Sequence, residues 1–210
     1  YRLLNHPEAS LQRFLSGHRE ATLARAAKHS VVLAIQDTTT LNYTTHPETI
    51  GLGPIGGFKE KDPTRGLLMH SVLLSNTEGV PLGLLDINCW ARDPDTYGQA
   101  KERYHLPIEL KESYKWIRGF AAADAAAKRL EKTQVVVVGD RESDVFELFQ
   151  EVSEGTAGLL IRALHPRRIL TAEGEVEGAL WDCVRKEALA AVLHVDVPRA
   201  GTRAARTAEL

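Results

Sequence analysis

Apolar residues in this chain fall into short valine- and leucine-rich runs, separated by turn chemistry and by stretches of helical spacing. The two clearest runs are Val31-Val32-Leu33-Ala34-Ile35-Gln36-Asp37 and Val135-Val136-Val137-Val138-Gly139-Asp140. Runs of this length and β-branched content predict buried strands, and each ends on an aspartate. Upstream, Leu11, Phe14, Leu15 and Leu23 recur at helical intervals, so the segment from Glu8 to Lys28 predicts one or two short helices. A Thr/Gly-rich loop is expected from Thr38 to Gly57. Two further strands, Gly66 to Ser75 and Val80 to Trp90, flank the turn residues Asn76-Thr77-Glu78-Gly79 and should form a hairpin. Ile108 to Lys132 reads as a long amphipathic helix with an alanine-rich second half. After the strand that ends at Asp140, a short helix is expected from Asp144 to Val152. Val145, Phe146, Leu148, Phe149 and Val152 form its buried side, with Asp144 and Glu147 at capping-box spacing. A fifth strand at Ala157 to Ala163, a helical Gly178 to Glu187 and a sixth strand at Ala190 to Val197 complete the pattern.

Three strands in meander followed by crossover helices predict a mixed sheet with helices on its faces. This order is that of a ribonuclease-H-like α/β fold, in which the ends of the first and fourth strands lie side by side. The expected division is a helical lead-in at 1–30, a core at 31–165, and the start of a β-rich insertion with a tail at 166–210.

Composition narrows the options without choosing among them. A hydrophobic share of 43% and a charged share of 26% are ordinary for a globular protein. No stretch approaches the roughly 18 apolar residues of a membrane span, and the first residues lack a signal core. The expected location is the cytoplasm. Cys89 and Cys183 are far apart and without metal-ligand spacing, and the eight histidines do not cluster, which speaks against zinc. Net charge is −2, so no global attraction to nucleic acid operates. The last quarter is locally basic, however, through His165, Arg167, Arg168, Arg199, Arg203 and Arg206. Such a flank beside acidic metal ligands suits a phosphodiester.

The candidate chemistry lies in the two aspartates. A carboxylate at the exit of a core strand is held by a rigid element. If the strands are neighbours, Asp37 and Asp140 face each other across a gap suited to a hard divalent cation. Phosphodiester cleavage needs an activated water, a stabilised leaving oxygen and neutralised phosphate charge. Two magnesium ions roughly 3.5–4 Å apart supply all three, and magnesium is satisfied by one or two carboxylates plus water and substrate oxygens.

Several blocks then carry a resemblance. Gln36-Asp37-Thr38-Thr39, Arg65-Gly66, His70-Ser71, Glu112-Ser113-Tyr114-Lys115-Trp116 and Gly139-Asp140-Arg141-Glu142-Ser143-Asp144 occur in order. Together they resemble the landmarks of bacterial cut-and-paste DDE transposases of the insertion-sequence-four family, over about residues 1–198. The resemblance implies that Asp37 and Asp140 are the first two acids of a catalytic triad holding Mg2+, with Mn2+ as a substitute. It also implies that transposon-end DNA is the partner, that the intact parent is a homodimer, and that no membrane is involved. Arg162, His165 and Arg167 correspond to a basic strand that would contact DNA phosphates. Read from the residues alone, Asp144 serves as a helix cap, Glu142 as a partner of Arg141, and Trp90 and Trp116 as packing aromatics.

The chain also departs from the family. Its third acid belongs to a Y-x-x-R-x-x-x-E-x-x-x-x-x-x-K helix that does not occur in these 210 residues. The expectation is therefore a central fragment of a transposase that binds metal weakly and does not transfer strands. Two alternatives stand beside it. One is a haloacid-dehalogenase-like phosphohydrolase, for which Gly139-Asp140-x-x-x-Asp144 fits but Thr39 occupies the general-acid position. The other is a non-catalytic fragment that binds DNA or interferes with dimers. Gly51 to Gly57 lacks the G-K-[ST] of a phosphate loop.

Overall fold

A computed structural model describes residues 2–3, 5–56, 64–96 and 105–209. It is a mixed α/β structure that divides into two compact units, Tyr1–Leu164 and His165–Leu210. Gly57, the last residue of the glycine-rich loop, lies outside the described residues.

The first unit is built on one sheet. Its strands are β1 (Val31–Asn42), β2 (Gly53–Pro54), β3 (Arg65–Asn76), β4 (Pro81–Trp90), β5 (Gln134–Gly139) and β6 (Gly158–Ile161). Spatially β4, β3, β1, β5 and β6 follow one another, and β2 adds a short ladder to the start of β3. β1, β3 and β4 are antiparallel neighbours; β5 and β6 run parallel to β1. The parallel connections pass through α2 (Tyr114–Arg129) and α3 (Phe146–Glu154), while α1 (Leu11–Ala26) precedes the sheet.

Alternation decides which face is covered. Val32 and Ala34, Val72 and Leu74, and Val135 and Val137 are buried against Leu23 and Ala26 of α1, Trp116, Phe120 and Ala123 of α2, and Leu148 of α3. The intervening residues are less covered: Ile35 is 36% exposed and Leu160 60%. α1 also closes the outer edge of β4. Arg19 and Arg25 donate to the carbonyls of Leu85 and Leu82, at 2.7 and 2.5 Å, and the Leu84 N–H donates to His18 Nε2 at 2.9 Å. Otherwise these groups would be the unpaired row of an edge strand.

Several boundaries differ from the sequence pattern, each for a local reason. The first strand does not end at Asp37. Thr38, Thr39 and Thr40 are β-branched strand formers, and they pair with His70, Met69 and Leu68 of β3. The expected helix from Ile108 is only a 3-10 turn at Ile108–Leu110, after which Lys111 is extended and α2 begins at Tyr114. Its apolar face starts at Trp116 and continues through Ile117, Phe120 and Ala123; Ile108 and Leu110, two apart, do not belong to that stripe. α3 starts two residues late, with Val145 at its N-cap and no side-chain cap, and Phe146 is 60% exposed.

The second unit holds two small antiparallel pairs. β7 (Arg168–Leu170) pairs with β8 (Val176–Ala179), which runs into α4 (Leu180–Val184). β9 (His194–Val197) pairs with β10 (Arg206–Glu209). Helix was expected from Gly178, yet residues 176–179 are strand, and the tail contains β10. Pairing with a partner strand, invisible to periodicity, fixes both. No described residue of this unit is fully buried. No helix among the described residues is long and apolar enough to cross a membrane.

Asp124 fastens α2 to the entry of β6. Its Oδ1 accepts the N–H groups of Thr156 and Ala157, at 2.5 and 3.0 Å, and Oδ2 lies 2.7 Å from Lys128 Nζ. Truncation by Asp124→Ala strands two donors at a largely buried site and is expected to lower unfolding free energy by about 1–3 kcal/mol. Asp124→Asn, which keeps an accepting oxygen, should lose less. Urea unfolding of both variants measures this.

Candidate active site

The β1–β5 ladder leads toward the two sequence-predicted aspartates. It is in constant register from Val31 opposite Gln134 to Ile35 opposite Val138. Carried two residues further, past the end of β5 at Gly139, the same register would set Asp37 opposite Asp140. Asp37 thus lies within β1, but where β1 loses its parallel neighbour, because β5 ends at Gly139. Equal register in a parallel pair would also put both side chains on the same face, the one opposite the helices.

The row extends on both sides. Ser71 of β3 pairs with Asp37. On the other flank the β5–β6 ladder sets Gly139 opposite Ile161, and the Arg162 N–H donates to the Gly139 carbonyl at 3.2 Å. One step further, Arg162 stands beside Asp140. Across the C-terminal edge of the parallel strands the order is therefore Ser71, Asp37, Asp140, Arg162.

Asp37, Asp140 and Arg162 are all exposed. The Asp37 carboxylate makes no hydrogen bond or ion pair among the described residues. Asp140 is held by its backbone: its carbonyl accepts from Ser143 Oγ at 2.6 Å, and Oδ1 accepts the Glu142 N–H at 2.9 Å, capping a 3-10 turn at Arg141–Ser143. That leaves Oδ2 and both oxygens of Asp37 for a ligand.

Neighbouring acids do not join them. Asp144 caps no helix; it is buried, and its Oδ2 accepts the Leu164 N–H at 2.7 Å, tying the loop after β5 to the segment after β6. Glu142 is exposed and lies 3.5 Å from Lys115 Nζ, so Lys115 rather than Arg141 is its partner. Among the described residues no group of three or more His, Cys, Asp or Glu side chains could hold a metal ion. The donor set is two aspartates. It fits a magnesium-like cation, which accepts one or two carboxylates and completes its shell with water and substrate oxygens.

The predicted basic strand is split between units. Arg162 belongs to the first, whereas His165 and Arg167 open the second, where the Arg167 N–H donates to the His165 carbonyl at 2.8 Å.

Beneath the carboxylates, on the helix side of β1, lies a polar network that sequence reading missed. Gln36 and His70 are each 3% exposed. The His70 ring bonds Thr38 Oγ1 through Nδ1 at 2.9 Å and Gln36 Oε1 through Nε2 at 3.0 Å. With Nε2 as donor, Nδ1 accepts from the Thr38 hydroxyl, so the ring is neutral. It meets Trp116 edge-on, with centroids 4.8 Å apart. Gly119 of α2 makes room for the Gln36 amide: a Cβ there would stand 2.2 Å from Gln36 Oε1. Gln36 Nε2 is buried with no partner among the described residues. The residues on either side of Asp37 are thus anchored through a single imidazole. His70-Ser71 was legible as a motif, but its contact with residues 36 and 38 depends on the antiparallel register.

Cations gather nearby. Lys115, with only 8% of its side chain exposed, lies 3.9 Å from Glu112 as well as close to Glu142. Arg92 forms two 2.8 Å bonds to Glu112, and Arg118 lies 3.3 Å from Asp86. Asn88, Trp90, Arg92, Tyr114, Lys115 and Arg118 contribute to the wall of a cavity of about 410 Å³.

No family model matches the chain.

Burial, then the charges of Lys115 and Arg118, hold the His70 pKa down at about 4, against an ordinary value of 6.5. The unfolded chain therefore binds this proton more readily than the fold does. The stabilisation is complete above pH 6.5 and is lost as pH falls toward 4, by up to about 1.4 kcal/mol per pH unit. Urea midpoints at pH 7 and pH 4.5 should differ less in His70→Gln than in the native chain. An equal acid loss in both would contradict the assignment.

Proposed function

We propose that this chain contains a ribonuclease-H-like core that holds a divalent cation at Asp37 and Asp140 and presents it to DNA, as in DDE transposases of the insertion-sequence-four family. The observation that supports the reading is the β1–β5 register, which, continued past its last pair, Ile35 and Val138, would bring the two aspartates side by side at the carboxyl ends of neighbouring parallel strands. This is where an open α/β sheet leaves a crevice for ligands. Mg2+ is the proposed cation and Mn2+ its substitute. It would neutralise phosphate charge and lower the pKa of a bound water. Arg162, next in the row, would take a non-bridging phosphate oxygen, and His165 and Arg167 would add phosphate contacts, which position a duplex without reading its sequence. In an intact parent the proposed assembly is a homodimer on transposon ends.

The haloacid-dehalogenase alternative has less support. The sheet of that class is parallel around its nucleophile, whereas β1 has the antiparallel β3 on one side. Thr39 also provides no proton for a leaving alcohol.

With two carboxylates, cation affinity should be weak and strand cleavage inefficient. Electron paramagnetic resonance of Mn2+ titrated with the chain should detect binding, and Asp37→Asn and Asp140→Asn should each weaken it tenfold or more. Equal Mn2+ binding by the double variant would remove the proposed site. Incubation with Mg2+ or Mn2+ and a transposon-end duplex should yield no efficient nicks or hairpins.

A further inference from the structure

The β9–β10 hairpin has a construction that neither the two aspartates nor the predicted basic strand explains. Arg206 pairs with Val197 and Glu209 with His194, and the same register continues outward to a bridge between Ala200 and Arg203. That bridge has both hydrogen bonds, at 3.2 and 3.1 Å. It closes a two-residue turn, Gly201-Thr202. Gly201 adopts φ +58° and, among the described residues, only glycines have positive φ, so the turn has glycine at its first central position, as a type II′ hairpin requires.

The register sorts the side chains. Arg199 stands opposite Ala204 and Arg206 opposite Val197, both on one face with Val195 and Ala208. Asp196 and Glu209 fall on the other face, where Asp196 accepts from Thr207 Oγ1 at 2.9 Å and Glu209 lies 3.9 Å from His194. Arg203, opposite Ala200 at the tip, continues the alternation of Asp196 and Glu209 and so belongs to the face opposite Arg199 and Arg206. From Pro198 to Arg206 there is no carboxylate and no lysine, and the residues between the arginines are Ala, Gly and Thr. All three arginines are exposed, and none makes an ion pair among the described residues. A slim, pinned ribbon thus presents three unneutralised guanidiniums on small neighbours.

We propose that this hairpin docks on B-form DNA, with Arg203 entering the minor groove and Arg199 and Arg206 lying on the flanking phosphates. The inference rests on DNA being the partner of this chain. A minor groove about 6 Å wide does not admit the two-stranded ribbon itself, but it admits the single side chain of Arg203 carried beside the Gly201-Thr202 turn. Narrow A·T-rich grooves concentrate negative potential and attract inserted arginine. The minor groove of A-form RNA is wide and shallow and offers no such slot.

The full chain is titrated in EDTA against labelled A·T-rich and G·C-rich duplexes over a range of KCl, with fluorescence anisotropy as the readout. Each phosphate contact adds about 0.9 to the slope of log affinity on log salt. Arg199→Gln with Arg206→Gln should therefore make the slope shallower by about 2 and weaken binding at least tenfold at low salt. Arg203→Lys keeps the charge and should leave the slope unchanged but reduce the A·T preference severalfold, and a minor-groove ligand such as netropsin should displace the native chain. An unchanged slope in the double variant, A·T preference intact in Arg203→Lys, tighter binding to double-stranded RNA, or no binding by the native chain would each overturn the proposal. Circular dichroism of the variants guards against misfolding. Mn2+ binding by Arg199→Gln with Arg206→Gln, read by electron paramagnetic resonance, should equal that of the native chain, so loss of the metal site and loss of the hairpin contact are read separately.

Discussion

The register between β1 and β5 is the constraint on which the first unit depends. Successive strand residues point to opposite faces, so a slip of one residue would turn Val32, Ala34, Val135 and Val137 out of the core. Burying these side chains, worth about 1.5–3 kcal/mol for each large one, therefore selects a single alignment. Continued past the end of β5, the same alignment would set Asp37 beside Asp140. Two carboxylates side by side repel each other, only weakly while both are solvated, and a bound cation would relieve that repulsion.

The helix side of β1 is arranged differently. A glutamine, a histidine and a threonine occupy positions where the alternation would suit apolar residues, and hydrogen bonds compensate most of their burial. The Gln36 amide nitrogen is the exception. Anchoring Gln36 and Thr38 through one ring limits how far the intervening Asp37 can drift, as a preorganised ligand set demands. Trp116 and Gly119 of α2 complete the arrangement, the first by packing on the ring, the second by lacking a Cβ.

The two units illustrate different sources of order. In residues 1–164 a continuous apolar layer sets the positions of strands and helices. Residues 165–209 bury nothing fully; hairpin registers, a tight turn and short hydrogen bonds define them locally. Apolar periodicity is accordingly a good guide to the first unit and a poor one to the second.

By itself the sequence determined the valine-rich core strands, the β3–β4 hairpin, the alanine-rich helix and the two aspartates, because each depends on local residue pattern and burial. It misjudged where β1 ends and where α2 and α3 begin, and it missed β7, β8 and β10 as strands, since strand pairing, long-range for β1 and local in the two hairpins, leaves no mark in apolar periodicity. That Asp144 turns inward to Leu164, that Glu142 meets Lys115, and that His70 reaches both neighbours of Asp37 were settled only by tertiary structure. The physical reason is common to all of them. A hydrogen bond or ion pair between remote residues exists only once strand order and register have been fixed, and those are properties of the packed sheet rather than of any segment within it.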